Sequence, residues 1–487
     1  MRKLLSHVIS LALLFGDAAQ PTPAQQPAAE VQQAARIAGS ILIGGRSYDY
    51  LQSLTDKFGG RLSGSASYQR AADWAASEFR AMGIRDVRLE PFTLDATWTR
   101  GASRGGRFVS PVERPLHVES LGWAPSTPAG GVRGEVVSVG DVSEKGLRAM
   151  KDRLKDRVVL LDTKSLFSEG IGAFVKLIGA QPLFKELGAA AVLIPDREAN
   201  NAFNAFNLNW GAKLSPLPIA GVGKEDADLL SRLLEKGPVT VEFGYDNQTG
   251  GPAQTANVVA EIRGRERPDE WIIVGAHLDS WDFGTGAQDN GSGVAMVLEA
   301  ARAVASLGQP PRRSVRFALW GGEEQGLLGS RAYVEAHERE LKSCVAVLNT
   351  DNGAGHPKGW KVEGREDLSK AMQPISRALL EDLSGGGLSP EASFDTDHGF
   401  FMLKGVPSLD LWVDMEPYEK IHHKAGDTLD KLDRHNLADG AAIVAVTAYA
   451  IAERPEQIAP HIPRGAVGEI LKKANIMEMI SAFGFWK

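Results

Sequence analysis

Apolar and polar positions change their period several times along the chain, and each change marks a different kind of element. Arg2 and Lys3 precede an apolar run over 4–15, which is followed by small residues at Gly16, Ala18 and Ala19. That order predicts a cleavable signal peptide over 1–18, and with it export to the periplasm or beyond the cell. Pro, Gln and Ala dominate the next stretch, which predicts a flexible leader over 19–34. Ala71, Ala75 and Phe79 then recur at helical spacing until Gly83, and Val87, Leu89 and Phe92 follow as a strand.

Between 111 and 250 short Val-rich stretches at 134–139 and 157–162 alternate with Gly and Pro turns and a Leu-rich helix at 225–234. This texture predicts a separate inserted domain, small and β-rich. The Asn-rich stretch 200–210 reads most simply as a polar surface loop, with a substrate-facing role as the alternative. After 250, apolar strands at 257–262, 271–276, 315–320, 345–350 and 408–412 alternate with helical segments. Such alternation predicts an α/β fold: a doubly wound, mostly parallel sheet with helices on both faces. The chain thus divides into a discontinuous domain over 35–110 and 251–460, an insertion over 111–250 and an amphipathic helical tail over 461–487.

Composition narrows the function classes. The 487 residues carry a formal net charge of −7, which offers no long-range attraction to phosphate backbones, so nucleic acid is not an expected partner. No stretch after the leader is apolar for long enough to span a membrane. Cys344 is the only cysteine, so neither an intrachain disulfide nor a C-x-x-C motif is possible.

Ligand sites in open α/β sheets lie beyond the carboxyl ends of the strands, so the residues just past each strand matter most. Strand 271–276 runs into His277 and Asp279, the latter well placed to orient the imidazole. The loop after it delivers Asp289 to the start of a helix, where alone it would read equally well as an N-cap. Strand 315–320 ends in Glu323 and Glu324 between glycines, a pair that capping does not explain. In a two-metal site one would be a ligand and the other a proton acceptor. Strand 345–350 ends at Asp351, and His422, His423 and Asp427 come after strand 408–412. Two imidazoles with three carboxylates at successive strand ends suit zinc.

These residues stand in motifs: Ala276-His-Leu-Asp-Ser280, Asp289-Asn-Gly-Ser-Gly293, Gly322-Glu-Glu-Gln-Gly-Leu-Leu-Gly-Ser330 and His423-Lys-Ala-Gly-Asp-Thr428, with Gly60-Arg-Leu-Ser-Gly-Ser65 upstream. Their order resembles the co-catalytic zinc exopeptidases, a family that includes secreted bacterial aminopeptidases, plasma glutamate carboxypeptidase and folate hydrolase. The resemblance implies two Zn2+ per chain, with Asp289 bridging them. His277 and Glu324 would complete one ion, Asp351 and His423 the other, and Glu323 would be the general base toward a zinc-bound hydroxide, with Asp279 orienting His277. His422, displaced by one from the ligand position, is expected to face the substrate, and Asp397 and His398 to line the pocket. The insertion resembles a protease-associated domain. Peptides or dipeptides with a free terminus are the implied substrates: an aminopeptidase first, a carboxypeptidase or dipeptidase as the alternative, with a homodimer left open.

Three other readings compete. The Gly-x-Ser-x-Gly match at 101–105 has neither a buried strand before it nor a helix after it, so a serine nucleophile is not expected. A non-catalytic, receptor-like protein on the same fold would not need all five ligand positions and the base. A single-zinc cyclase would differ in metal stoichiometry.

Overall fold

The computed structural model describes residues 25–163 and 171–486; the stretch 1–18, expected to be a signal peptide, lies outside them. Eight strands form the main sheet in the order Asp86–Leu94, Ala253–Ile262, Arg313–Trp320, Arg267–His277, Cys344–Asn349, Ser408–Val413, Pro357–Lys361, Gly387–Ser389. The four central strands, from Arg313–Trp320 to Ser408–Val413, are parallel, with His277 opposite Trp320 and Asn349 opposite Asp410. Toward the edges Asp86–Leu94, Ala253–Ile262 and Pro357–Lys361 pair antiparallel. The sheet is therefore mixed, and the mostly parallel expectation describes its centre.

Central strands carry near-continuous apolar runs, such as Trp271–Ala276, because both faces are covered. Ile272, Val274 and Ala276 enter one core, beneath helices Ser292–Ala305 and Arg434–Glu453. Trp271 and Ile273 enter the other, with Tyr333, Phe401 and Leu471 from helices on the opposite side. Residues expected to form a flexible leader are helical from Gln25 onward: helix Gln25–Leu42 buries Ala34, Ile37, Ala38 and Ile41 in the first core, against Arg434–Glu453. Ala and Gln are good helix formers, and the apolar stripe behind them decides the outcome.

A second eight-stranded sheet begins at Ser103, earlier than the expected boundary at 111, and closes with Thr240–Tyr245. Alternate residues of Val158–Leu161 and Ala191–Pro195 enter different cores, Val159 and Val192 on one side, Val158 and Ala191 on the other. Helix Ile171–Glu186 contributes Leu177 and Phe184 to the first, and Lys224–Leu234 contributes Ala227 and Leu230 to the second. The insertion is thus layered rather than simply β-rich. Ser103 is exposed at the start of a strand, without the buried elbow that a nucleophile requires. The tail forms two short helices, Arg464–Lys473 and Met477–Ala482, which bury Val467, Leu471 and Ile480. No helix among the described residues is long and apolar enough to cross a membrane.

Candidate metal centre

Turns at the carboxyl ends of the central strands bring together the residues that the sequence singled out. His277 closes its strand with Nδ1 3.0 Å from the Asp279 carbonyl oxygen and 3.7 Å from its carboxylate, so the main chain is the nearer support of the ring. Its Nε2 lies 3.1 Å from Asp289 Oδ1 and 3.0 Å from Asp351 Oδ1. The His423 Nε2 lies 3.2 Å from Asp289 Oδ2 and 3.0 Å from Glu324 Oε2. Asp289 therefore faces both imidazoles, one oxygen to each. The remaining carboxylates pair opposite to the sequence-based assignment, Asp351 with His277 and Glu324 with His423. Glu324 comes after the Gly321-Gly322 turn, farther past its strand than Asp351, and that reach carries it to the His423 loop.

His422 approaches Asp289 Oδ2 at 3.5 Å, and its ring lies 4.8 Å from Tyr418 and 3.8 Å from His423. Consecutive side chains of an extended chain diverge, but His423 has a φ of +59°, and this turn gathers both rings on one side. His423 reaches two carboxylates, whereas His422 reaches one and is more exposed.

The site is held from behind. Asp427 accepts the backbone N–H groups of Ala287, Gln288 and Asp289 at 3.1, 2.6 and 3.2 Å. The fully buried Arg61 guanidinium donates to the carbonyls of Leu278, Thr285 and Gly286 at 2.6, 2.8 and 2.9 Å, clamping the loop between His277 and Asp289. Ser63 Oγ accepts the Gly322 N–H at 2.7 Å, and Asp279 Oδ1 accepts that of Glu323 at 3.3 Å. Asp351 is flanked by Asn349 and Asn352, whose amides donate to Asp410 at 3.0 and 2.6 Å. Gly291, not Asp289, is the N-cap of helix Ser292–Ala305, so capping does not account for Asp289.

Four buried carboxylates converge on these imidazoles. Burial, reinforced by Asp351, Glu324 and Asp397 against the pull of His277, raises the Glu323 carboxyl well above its ordinary range. Burial raises Glu324 to about 7 and Asp351 to about 6. Asp289 goes the other way: against burial, the close His277 and His423 imidazoles hold it well below the ordinary range. Asp289 Oδ2 and Glu324 Oε1 are buried with no aligned hydrogen-bond donor. Burying this much like charge is costly unless cations neutralise it, and the oxygen and nitrogen donors present fit a divalent metal. His277, Asp289 and Asp351 form one group with ligand atoms close enough for an ion, and Asp289, His422 and His423 form another.

These residues open into a cavity of about 450 Å³. Asp397 and His398 do not line it, in contrast to expectation. His398 is fully buried 3.3 Å from Glu363, and Asp397 is buried behind the site, its carboxyl raised to about 7 by burial. The neighbours on the other side of the turn, Asp395 and Thr396, face the cavity instead. The Asn-rich stretch takes the substrate-facing alternative: Phe206, Asn207 and Trp210 form a wall of the cavity. Its aromatic residues, interleaved with asparagines, were the signal available in the sequence.

The model of peptidase family M28 matches residues 257–448, the segment that carries all five ligand positions and Glu323. Carboxypeptidase Q of Rattus norvegicus is 31% identical over 416 residues, covering 85% of this chain and 86% of that protein. The chain belongs to peptidase family M28. Aminopeptidase YwaD of Bacillus subtilis (strain 168) is 27% identical over 459 residues, covering 92% and 94% of the two chains. Among solved structures, a peptidase M28 precursor from Shewanella amazonensis SB2B superposes with a TM-score of 0.76 at 29% identity, covering 90% of this chain and 100% of that one. This M28 chain is a metallopeptidase, one of the zinc exopeptidases, on the α/β fold of the family.

Proposed function

We propose that this M28 peptidase is an aminopeptidase with two zinc ions per chain, and that Glu323 is its general base. His277, Asp289 and Asp351 would hold one ion, and Asp289, Glu324 and His423 the other. Bound zinc would polarise the scissile carbonyl and make a water acidic enough to attack near neutrality. Glu323 takes the proton of that water and returns it to the leaving amine. Asp279, through its bond to the Glu323 N–H, and Ser63, through Gly322, keep the base-bearing turn in register. His422, partly exposed on the cavity, contacts the substrate.

The observation that carries the choice of terminus is the charge of the cavity. Asp395 and Glu419 add two carboxylates to those of the centre, and no Lys or Arg lines it among the described residues. Two divalent ions would offset the inner carboxylates, leaving the outer pair to favour a free α-ammonium. A substrate carboxylate would meet no guanidinium or ammonium, the usual partners for one. The relationship to carboxypeptidase Q favours a second reading, a carboxypeptidase or dipeptidase. A screen of free, N-blocked and C-blocked di- and tripeptides separates them: cleavage lost only on N-blocking supports the aminopeptidase, and loss only on C-blocking overturns it.

Two further readings complete the proposal. Residues 1–18 act as a signal peptide for export, and the layered insertion is a protease-associated domain. N-terminal sequencing of the exported protein tests the first.

A further inference from the structure

The cavity is not built by the catalytic sheet alone. Ala205 N–H donates to the His423 carbonyl and Gly211 N–H to the Gln325 carbonyl, both at 2.7 Å, and Asn207 Nδ2 reaches the Glu324 carbonyl at 3.5 Å. A loop of the insertion is thus bonded to the main chain at two metal-site turns, and it carries Trp210 onto the cavity wall. Gly326 permits this close approach: its φ is +116°, and a Cβ there would lie 2.5 Å from Trp210 Nε1.

The outer side of the Trp210 ring is covered by the tail. Phe483 stacks on it at 4.7 Å and 29°, and Phe485 touches it at 5.9 Å. Phe485 is itself held by Phe394 at 5.9 Å and Phe400 at 5.1 Å, with the Arg331 guanidinium 5.4 Å from its ring centre. An aromatic ring backed by two others is a rigid wall, and the proposed reaction uses neither tail phenylalanine.

We propose that Trp210 sets the side-chain preference of the peptidase and that Phe483 and Phe485, as positioning residues, hold it in place. Phe206, Trp210, Trp281 and Met415 offer the apolar surface of the cavity, so the preferred substrates carry an apolar side chain beside the scissile bond. The proposal rests on the exopeptidase activity and not on which terminus is required.

Unblocked dipeptides with Gly, Ala, Leu or Phe at each position supply the test, read as the ratio of kcat/KM for Leu over Gly substrates. Trp210→Ala should lower that ratio about tenfold or more, the scale on which apolar pockets discriminate. Phe483→Ala combined with Phe485→Ala should lower it in the same direction, with zinc content as in the parent protein. An unchanged ratio in Trp210→Ala, including a uniform loss on all substrates, overturns the wall. A ratio unchanged only in the tail variant overturns the role of the tail. Should Trp210→Ala fail to fold, Trp210→Phe and Trp210→Leu give the same reading, since the ratio must follow side-chain size. Absence of cleavage by the parent protein would count against the exopeptidase activity itself and not against this assignment.

Discussion

Asp427 holds the main chain of Asp289 through a 3.2 Å bond to its N–H, the last of three such bonds to consecutive residues. One buried carboxylate thereby fixes the direction of another, the one that faces both His277 and His423. Asparagine keeps the size of Asp427 but replaces an acceptor oxygen with a donor, which would oppose the N–H groups it faces. Asp427→Asn should weaken metal binding about 10- to 100-fold, the usual cost of losing an outer support of a ligand. Zinc per chain after dialysis against graded chelator measures it. Wild-type retention would mean that Asp427 serves only the fold.

Glu323 sits 3.9 Å from His277 Nε2, beside the proposed ligands but outside the pairs that they form. Glu323→Gln keeps the shape and removes the proton acceptor, so kcat should fall by about 10²–10⁴ while zinc content is preserved. Activity within tenfold of the parent would remove Glu323 from the role of base.

The adjacent histidines should separate cleanly. His423→Ala removes a nitrogen that faces two carboxylates, so the variant should lose zinc and melt earlier. A ligand present at 100 times its Kd contributes about 2.7 kcal/mol to stability, which sets the scale of the loss. His422→Ala should keep its zinc and change KM. Metal analysis with thermal melting decides, and the reverse pattern would exchange the two assignments.

Much of this site was readable from the chain because strand ends are readable. Val- and Ile-rich runs announce the central strands, and the residues just past their carboxyl ends must lie on one rim of the sheet. The pairing of ligands was not readable, since Glu324 and Asp351 are both strand-end carboxylates and only the reach of the Gly321-Gly322 turn sends them to different imidazoles. Asp427 was legible as a spacing, but its work lies in main-chain bonds that no side-chain pattern records. Asp397 and Asp395 could not be told apart without knowing which side of their turn faces the cavity. Trp210 was hidden for a different reason: the residues it packs against, Gly326 and Phe483, are more than a hundred residues away. The last two strands of the sheet, Pro357–Lys361 and Gly387–Ser389, are too short to show a period.

The edge of the sheet that carries the site holds a titratable pair. His337, just past helix Leu328–Ala336, bonds Glu90 of the edge strand at 2.9 Å, with both side chains about one-fifth exposed. The bond to Glu90 raises the His337 imidazole above its ordinary value near 6.5 in spite of burial. Burial opposes the lowering of Glu90, but His337 and Arg88 bring its carboxyl below the usual range. A raised histidine contributes stability that is fully present below its unfolded value and is lost as pH rises through the folded one. A lowered carboxylate contributes stability that is present above its unfolded value and is lost as pH falls through the folded one. The two shifts describe one pair, so its contribution is greatest between them, from the unfolded range of Glu up to the unfolded range of His. Solvent screening keeps it to at most about 1 kcal/mol. His337→Gln should therefore lower Tm most near pH 5–6 and progressively less as pH rises past 7, where the parent histidine also loses its proton. Melting curves across that range check the sign, and a deficit that grows with pH would show that the pair is not held by charge.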